Sequence, residues 1–200
     1  MPKTLVFYVQ DGFADWEAAY ILPLLREKGV GVRVVSENGA SVTSAGGLGV
    51  VAHTRLRNVV YPADIDGLIL PGGDFWMDDS ANQPVLAFAQ DLLAQGKMVA
   101  AICAATVALG RQGLLDQRRH TSNDLGVLKQ EAPGYRGEAL YVQSLAVTDG
   151  NLITASGIGA LEFAREIADY LKLGSESYRK QWYELFKHGV APPADFWTQT

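Results

Sequence analysis

Apolar positions along the chain fall into short continuous runs that alternate with stretches of helical period. "TLVFYV" (residues 4–9) and "VGVRVVS" (30–36) are short and rich in β-branched residues, whereas the intervening stretch from Asp15 to Lys28 reads as a helix stopped by Gly29. This predicts a β-α-β unit. "DGLILPGG" (66–73) and "MVAAIC" (98–103) are nearly unbroken apolar runs, the pattern of strands covered on both faces, with a helical segment over 84–95 between them. A mainly parallel sheet follows. The stretch "ENGASVTSAGGLGVVAHTRL" predicts a hairpin or short antiparallel arm, and its "GGLG" reads as turn chemistry because it does not open a helix after a strand.

The alternation continues. "RRHTSN" (118–123) predicts a short strand entering a loop, and "LYVQSLAVTDGNLITAS" (140–156) predicts strands around an Asp149-Gly150 turn. Ile158 to Leu173 is amphipathic, ending at Gly174. Residues 175–189 form a last helix with Ser175 as N-cap and Gly189 as stop; Tyr178, Trp182, Leu185 and Phe186 line one face that must pack on the core or on a partner subunit. No repeat or linker divides the chain. The expected organisation is α/β, with residues 1–174 as one domain and 175–200 as a helical extension and tail.

Composition narrows the function classes. Two hundred residues with 48% hydrophobic content can bury one sizeable core. A net charge of −5 lacks the clustered Lys and Arg of a nucleic-acid footprint. The N-terminus reaches Asp11 after a short apolar run, so neither a signal peptide nor a membrane span is expected, and a cytoplasmic location is the default. The single cysteine excludes an internal disulfide, and three widely separated histidines give no metal-ligand spacing. No cofactor is expected.

Cys103 ends a predicted strand and precedes the helix formers "AATVALG". Packing alone could account for a buried cysteine, but a sharp strand-to-helix turn also raises a nucleophile above the sheet. Such a turn needs small residues two before and two after it, here Ala101 and Ala105. A helix N-terminus favours thiolate, so the thiol pKa is expected to fall from about 8.5 toward roughly 3.5–7.5. "PGG" (71–73) reaches the same sheet edge, where backbone N–H groups at Gly72–Gly73 and at Ala104 could face an oxyanion. In "QDGFADWEAAY", Asp11-Gly12 reads as a turn, Asp15 as an N-cap, and Glu17, by spacing alone, as an exposed acid favoured by the helix dipole.

Taken in order, "PGG" after an apolar strand, "AAIC" at an elbow, Glu17 after "DGF", "TS" after a short strand and "VTDGNLITASG" before a helix resemble the ThiJ/PfpI superfamily, over roughly residues 4–173. The resemblance implies a flavodoxin-like three-layer α/β/α sandwich of class I glutamine amidotransferase type, frequently a homodimer. It implies Cys103 as the reactive thiol, Glu17 as a carboxyl hydrogen-bonded to it, and Gly73 and Ala104 as backbone donors to an oxyanion. Departures matter too. Family peptidases carry His directly after the cysteine, where this chain has Ala104, and "ITASGIGALEFA" lacks the His of glutamine amidotransferases. Where the parkinsonism-associated member has a His after its "TT", this chain has Asn123, with His120 three residues earlier.

His120 is thus either a base near Cys103 or a structural histidine, and His53 reads as structural. Gly72, Asn123, Trp16 and Phe75 are candidates to line the site, together with Phe13, Trp76 and the region 123–138. Two functions remain. In the first, Cys103 attacks a small electrophilic substrate such as an aldehyde or amide, as in a hydrolase or carbonyl-detoxifying enzyme; in the second, its oxidation serves a stress sensor or chaperone without turnover.

Overall fold

The computed structural model describes residues 3–59 and 64–198. Its core is a seven-stranded sheet built from β1 (Thr4–Tyr8), β2 (Gly31–Ser36), β5 (Thr54–Arg55), β6 (Gly67–Leu70), β7 (Met98–Ile102), β8 (Ala146–Asp149) and β9 (Leu152–Ala155). The order is β5-β2-β1-β6-β7-β9-β8, parallel except for β8, which pairs antiparallel with β9. Within it, β2-β1-β6-β7-β9 has the flavodoxin-like strand order. A short ladder of β3 (Val42–Thr43) with β4 (Gly49–Val50) forms the predicted arm.

Alternation of side chains splits the apolar strands between two cores. Leu5, Phe7, Ile69, Ala100, Ile102 and Ile153 face one layer, which includes α1 (Ile21–Glu27), α5 (Ala160–Leu171) and α6 (Glu176–His188). Val6, Tyr8, Leu68, Leu70, Val99 and Ala101 face the other, which includes α2 (Asp79–Ala94) and α3 (Ala104–Arg111). The result is a three-layer α/β/α sandwich. The central strands β1, β6, β7 and β9 are buried on both faces, which is why their runs contain almost no polar positions.

Several boundaries differ from the sequence reading. The stretch read as one helix from Asp15 to Lys28 is a 3₁₀ turn, Asp15–Ala18, followed by α1. Residues 118–123 form no strand; His120 makes an isolated bridge with Tyr141. Helix α5 stops at Lys172, which takes the left-handed cap expected of a glycine. Helix α6 has the expected ends, with Ser175 Oγ accepting from Tyr178 N and Gly189 left-handed. Its Tyr178 and Trp182 join the core, and the Tyr20 ring lies edge-on to Trp182 and Phe186. Phe196 from the tail stacks on Tyr178 with centroids 4.8 Å apart. Among the described residues, no helix is long and apolar enough to cross a membrane.

Candidate active site

Four neighbouring parallel strands, β1, β6, β7 and β9, deliver their C-terminal ends to one point, the edge at which open α/β sheets bind ligands. After β7 the backbone turns through Cys103 at φ 59°, ψ −129°, straight into α3. Cys103 and Lys172 are the two described non-glycine residues at positive φ, and a conformation of this kind costs on the order of 1–3 kcal/mol. The surroundings hold it there. Cys103 N donates to Ala155 O of β9 (2.9 Å), and Cys103 O accepts from Thr106 N (3.0 Å) and Thr106 Oγ1 (2.6 Å). Ala101 and Ala105 are both fully buried, as close packing at the elbow requires.

Glu17 arrives from the turn after β1. Its side chain is 0% exposed, so spacing alone misjudged it as an exposed acid. The turn is too short to project it outward as a helix would, and Ala14 N donates to Gly72 O (2.9 Å), folding the segment over the sheet edge. Glu17 Oε2 accepts from Gly72 N at 2.5 Å. Oε1 is buried with no hydrogen-bond partner among the described residues, and the carboxyl as a whole interacts with the Cys103 thiol. Glycine is obligatory here: a Cβ on Gly72 would lie 2.7 Å from Cys103 Cβ and 2.9 Å from Glu17 Oε2. A Cβ on Gly157, after β9, would lie 2.9 Å from Cys103 Sγ.

Asn123 completes the group. Its Nδ2 donates to Cys103 Sγ (3.2 Å), and its Oδ1 accepts from Gly157 N (2.8 Å). The sequence reading offered Asn123 only as lining and missed Gly157; the signal available was the likeness of "HTSN" to the family's short-strand segment, which places Asn123 at its end.

His120 goes elsewhere, which corrects its assignment as a possible base for Cys103. The ring is 0% exposed, with Nδ1 against Arg118 O (2.7 Å), Nε2 against Tyr135 Oη (2.6 Å) and Tyr135 and Tyr141 edge-on to it. Both nitrogens are committed, and burial pushes its pKa down. His53 is also structural, its Nδ1 accepting from Val34 N (3.1 Å). Asp15 is not an N-cap; its Oδ2 accepts from Ser44 Oγ (2.6 Å), while Asp11 Oδ1 accepts from Thr43 N (2.7 Å), so both fasten the arm.

Gly73 sits at φ 150° beneath the half-buried Phe75 ring, which a Cβ there would meet at 2.5 Å. Trp16 is 54% exposed on the same turn as Glu17. Phe13 is buried edge-on to Phe7, and Trp76 is buried with its Nε1 donating to Pro71 O (2.7 Å). No group of three or more His, Cys, Asp or Glu among the described residues is placed to hold a metal ion.

The electrostatics reverse one expectation. Burial, followed by the Glu17 carboxylate, pushes the Cys103 thiol above its ordinary pKa, outweighing the Asn123 amide and the Ala104 N–H that favour thiolate. A two-turn helix does not overcome a neighbouring anion at this depth. Burial also raises Glu17 to about 7 against the pull of Gly72 N–H and the thiol. Thiol and carboxyl therefore titrate as a pair, each resisting ionisation while the other is charged. Protonating Glu17 removes the repulsion and leaves a carboxyl O–H able to donate toward sulfur.

The DJ-1/PfpI family pattern matches residues 3–170. A Bacillus subtilis (strain 168) protein named "Uncharacterized protease YoaZ" is 36% identical over 193 residues, 92% of this chain and 91% of that protein. "Deglycase TK1284" of Thermococcus kodakarensis is 29% identical over 163 residues, covering 81% and 95% respectively. The crystal structure of a thiJ/pfpI family protein from Bacillus anthracis superposes with a TM-score of 0.91 at 35% identity, over 100% of this chain and 95% of that one. With the match spanning most of its length, and relatives that share the whole architecture, the chain belongs to the DJ-1/PfpI family.

Proposed function

We propose that the protein is a cysteine-dependent enzyme acting on small carbonyl compounds, in line with the deglycase name carried by several relatives. The observation that carries this reading is the buried Glu17 carboxyl held between Gly72 N–H and the Cys103 thiol at the strained elbow. When the pair holds one proton on Glu17, Sγ is an anion. It adds to the carbonyl carbon, the S–C bond forms, and the C=O π pair moves onto oxygen. That oxygen then takes the proton from Glu17, giving a thiohemiacetal with no leaving group to protonate. The N–H of Ala104 and that of Gly73, next to the glycine abutting Cys103, are the donors assigned to the developing oxyanion. Addition to an aldehyde moves one proton, which one carboxyl can supply. Peptide hydrolysis must also protonate an amine, and Ala104 stands where family peptidases have His.

The test is a panel of small aldehydes and amides. Wild type is expected to convert aldehydes, Cys103→Ser to convert none, and Glu17→Gln to lose about 10²-fold or more in kcat. A wild type that turns over nothing, yet gains two oxygens at Cys103 under mild peroxide, would replace this reading with oxidant sensing.

A further inference from the structure

We propose that Asn123 is a fixed hydrogen-bond donor to the reacting sulfur, steadying the Cys103 thiolate while denying that position any part in proton transfer. The inference rests on Cys103 being the reactive thiol and goes further, because it gives a single orientation and task to a residue otherwise only near the site. Gly157 N–H can only donate, so it must face Asn123 Oδ1 at 2.8 Å, and this turns Nδ2 toward Sγ at 3.2 Å. Flipping the amide would set N–H against N–H. The same glycine that locks the amide must lack a Cβ, which would reach 2.9 Å from Sγ.

The residues on either side hold Asn123 in register with the elbow. Ser122 Oγ lies 2.7 Å from Thr106 Oγ1, the hydroxyl that also donates to Cys103 O at 2.6 Å. Asp124 caps α4 (Leu125–Glu131), its Oδ1 accepting from Val127 N at 3.0 Å. Asn123 and Cys103 are thus fastened to one buried hydroxyl pair. The groups facing the sulfur are Glu17 from the turn after β1, the Gly72 backbone after β6, Ala104 N–H from α3, Gly157 after β9, and Asn123. Of these only Glu17 titrates, so the amide contributes a donor whose strength does not change with pH.

The pH dependence of iodoacetamide alkylation tests the assignment on the full chain. Asn123→Ala should raise the midpoint of the thiolate-dependent rise by about one unit, a roughly tenfold slower reaction below it. Asn123→Asp, nearly isosteric and still able to accept from Gly157 N–H, should raise it further by adding an anion beside sulfur. A loosened loop alone would not order the two variants in this way. Profiles of both variants that superimpose on wild type, or a midpoint that falls, would overturn the proposal. Alkylation needs no turnover: shifted midpoints in a protein that converts no aldehyde would sink the proposed enzyme and leave Asn123 in place, and turnover with unshifted midpoints would do the reverse.

Discussion

Glu17 is the residue whose environment costs the fold most visibly. Its pKa is raised from 4.5 to about 7 by burial, so the native state binds more protons than the unfolded chain between those values. Stability contributed at this site is therefore lost as pH rises through that window, by about 3 kcal/mol once both states are ionised. Glu17→Gln keeps an oxygen for Gly72 N–H and removes the charge. Urea midpoints should show the variant more stable than wild type at pH 8 and nearly equal to it at pH 4; a variant less stable at pH 8 would count against a buried, uncompensated carboxylate. Sequence spacing could not show this burial. The hint was an acid in the otherwise apolar "WEAAYIL", which a helix would have turned outward and a short 3₁₀ turn turns in.

At the scale of elements, the site depends on loops that bring backbone as well as side chains to the cysteine. Gly72→Ala would force a Cβ to within 2.7 Å of Cys103 Cβ, whereas Gly49 in β4 has nothing within 4 Å. The expected outcome is about 1–3 kcal/mol lost in urea unfolding for Gly72→Ala, with at least tenfold slower turnover, and little change for Gly49→Ala. Equal effects of the two would deny the close approach. The strands β1, β6 and β7 were legible because buried parallel strands are apolar throughout, β2 because it is short and rich in valine, and the elbow because Ala101, Cys103 and Ala105 lead from such a run directly into helix formers. Residues 118–123 were not. A single bridge at His120 leaves no alternation from which to read facing, so the choice between His120 and Asn123 rested on contacts distant in sequence, with Tyr135 in one case and Gly157 in the other.

The whole molecule supplies what no segment holds alone. Glu17, Gly72, Cys103 and Gly157 follow the ends of four strands, and α6 and the tail pack with α1 and α5 in one core layer. The depressed thiol pKa expected from a helix N-terminus failed for this reason: burial and a carboxylate brought from 86 residues away in sequence outweigh the local dipole. A coupled thiol and carboxyl must therefore exist only in the folded chain. Since Cys103 is the one cysteine, thiolate absorbance against pH, corrected with Cys103→Ser, measures it directly in native and urea-unfolded protein. The native wild type should ionise in a profile spread over two steps that collapses to one in Glu17→Gln, while both unfolded chains give one step near about 8.5. A native profile identical to the unfolded one, and unchanged by Glu17→Gln, would contradict the pairing on which the proposed chemistry stands.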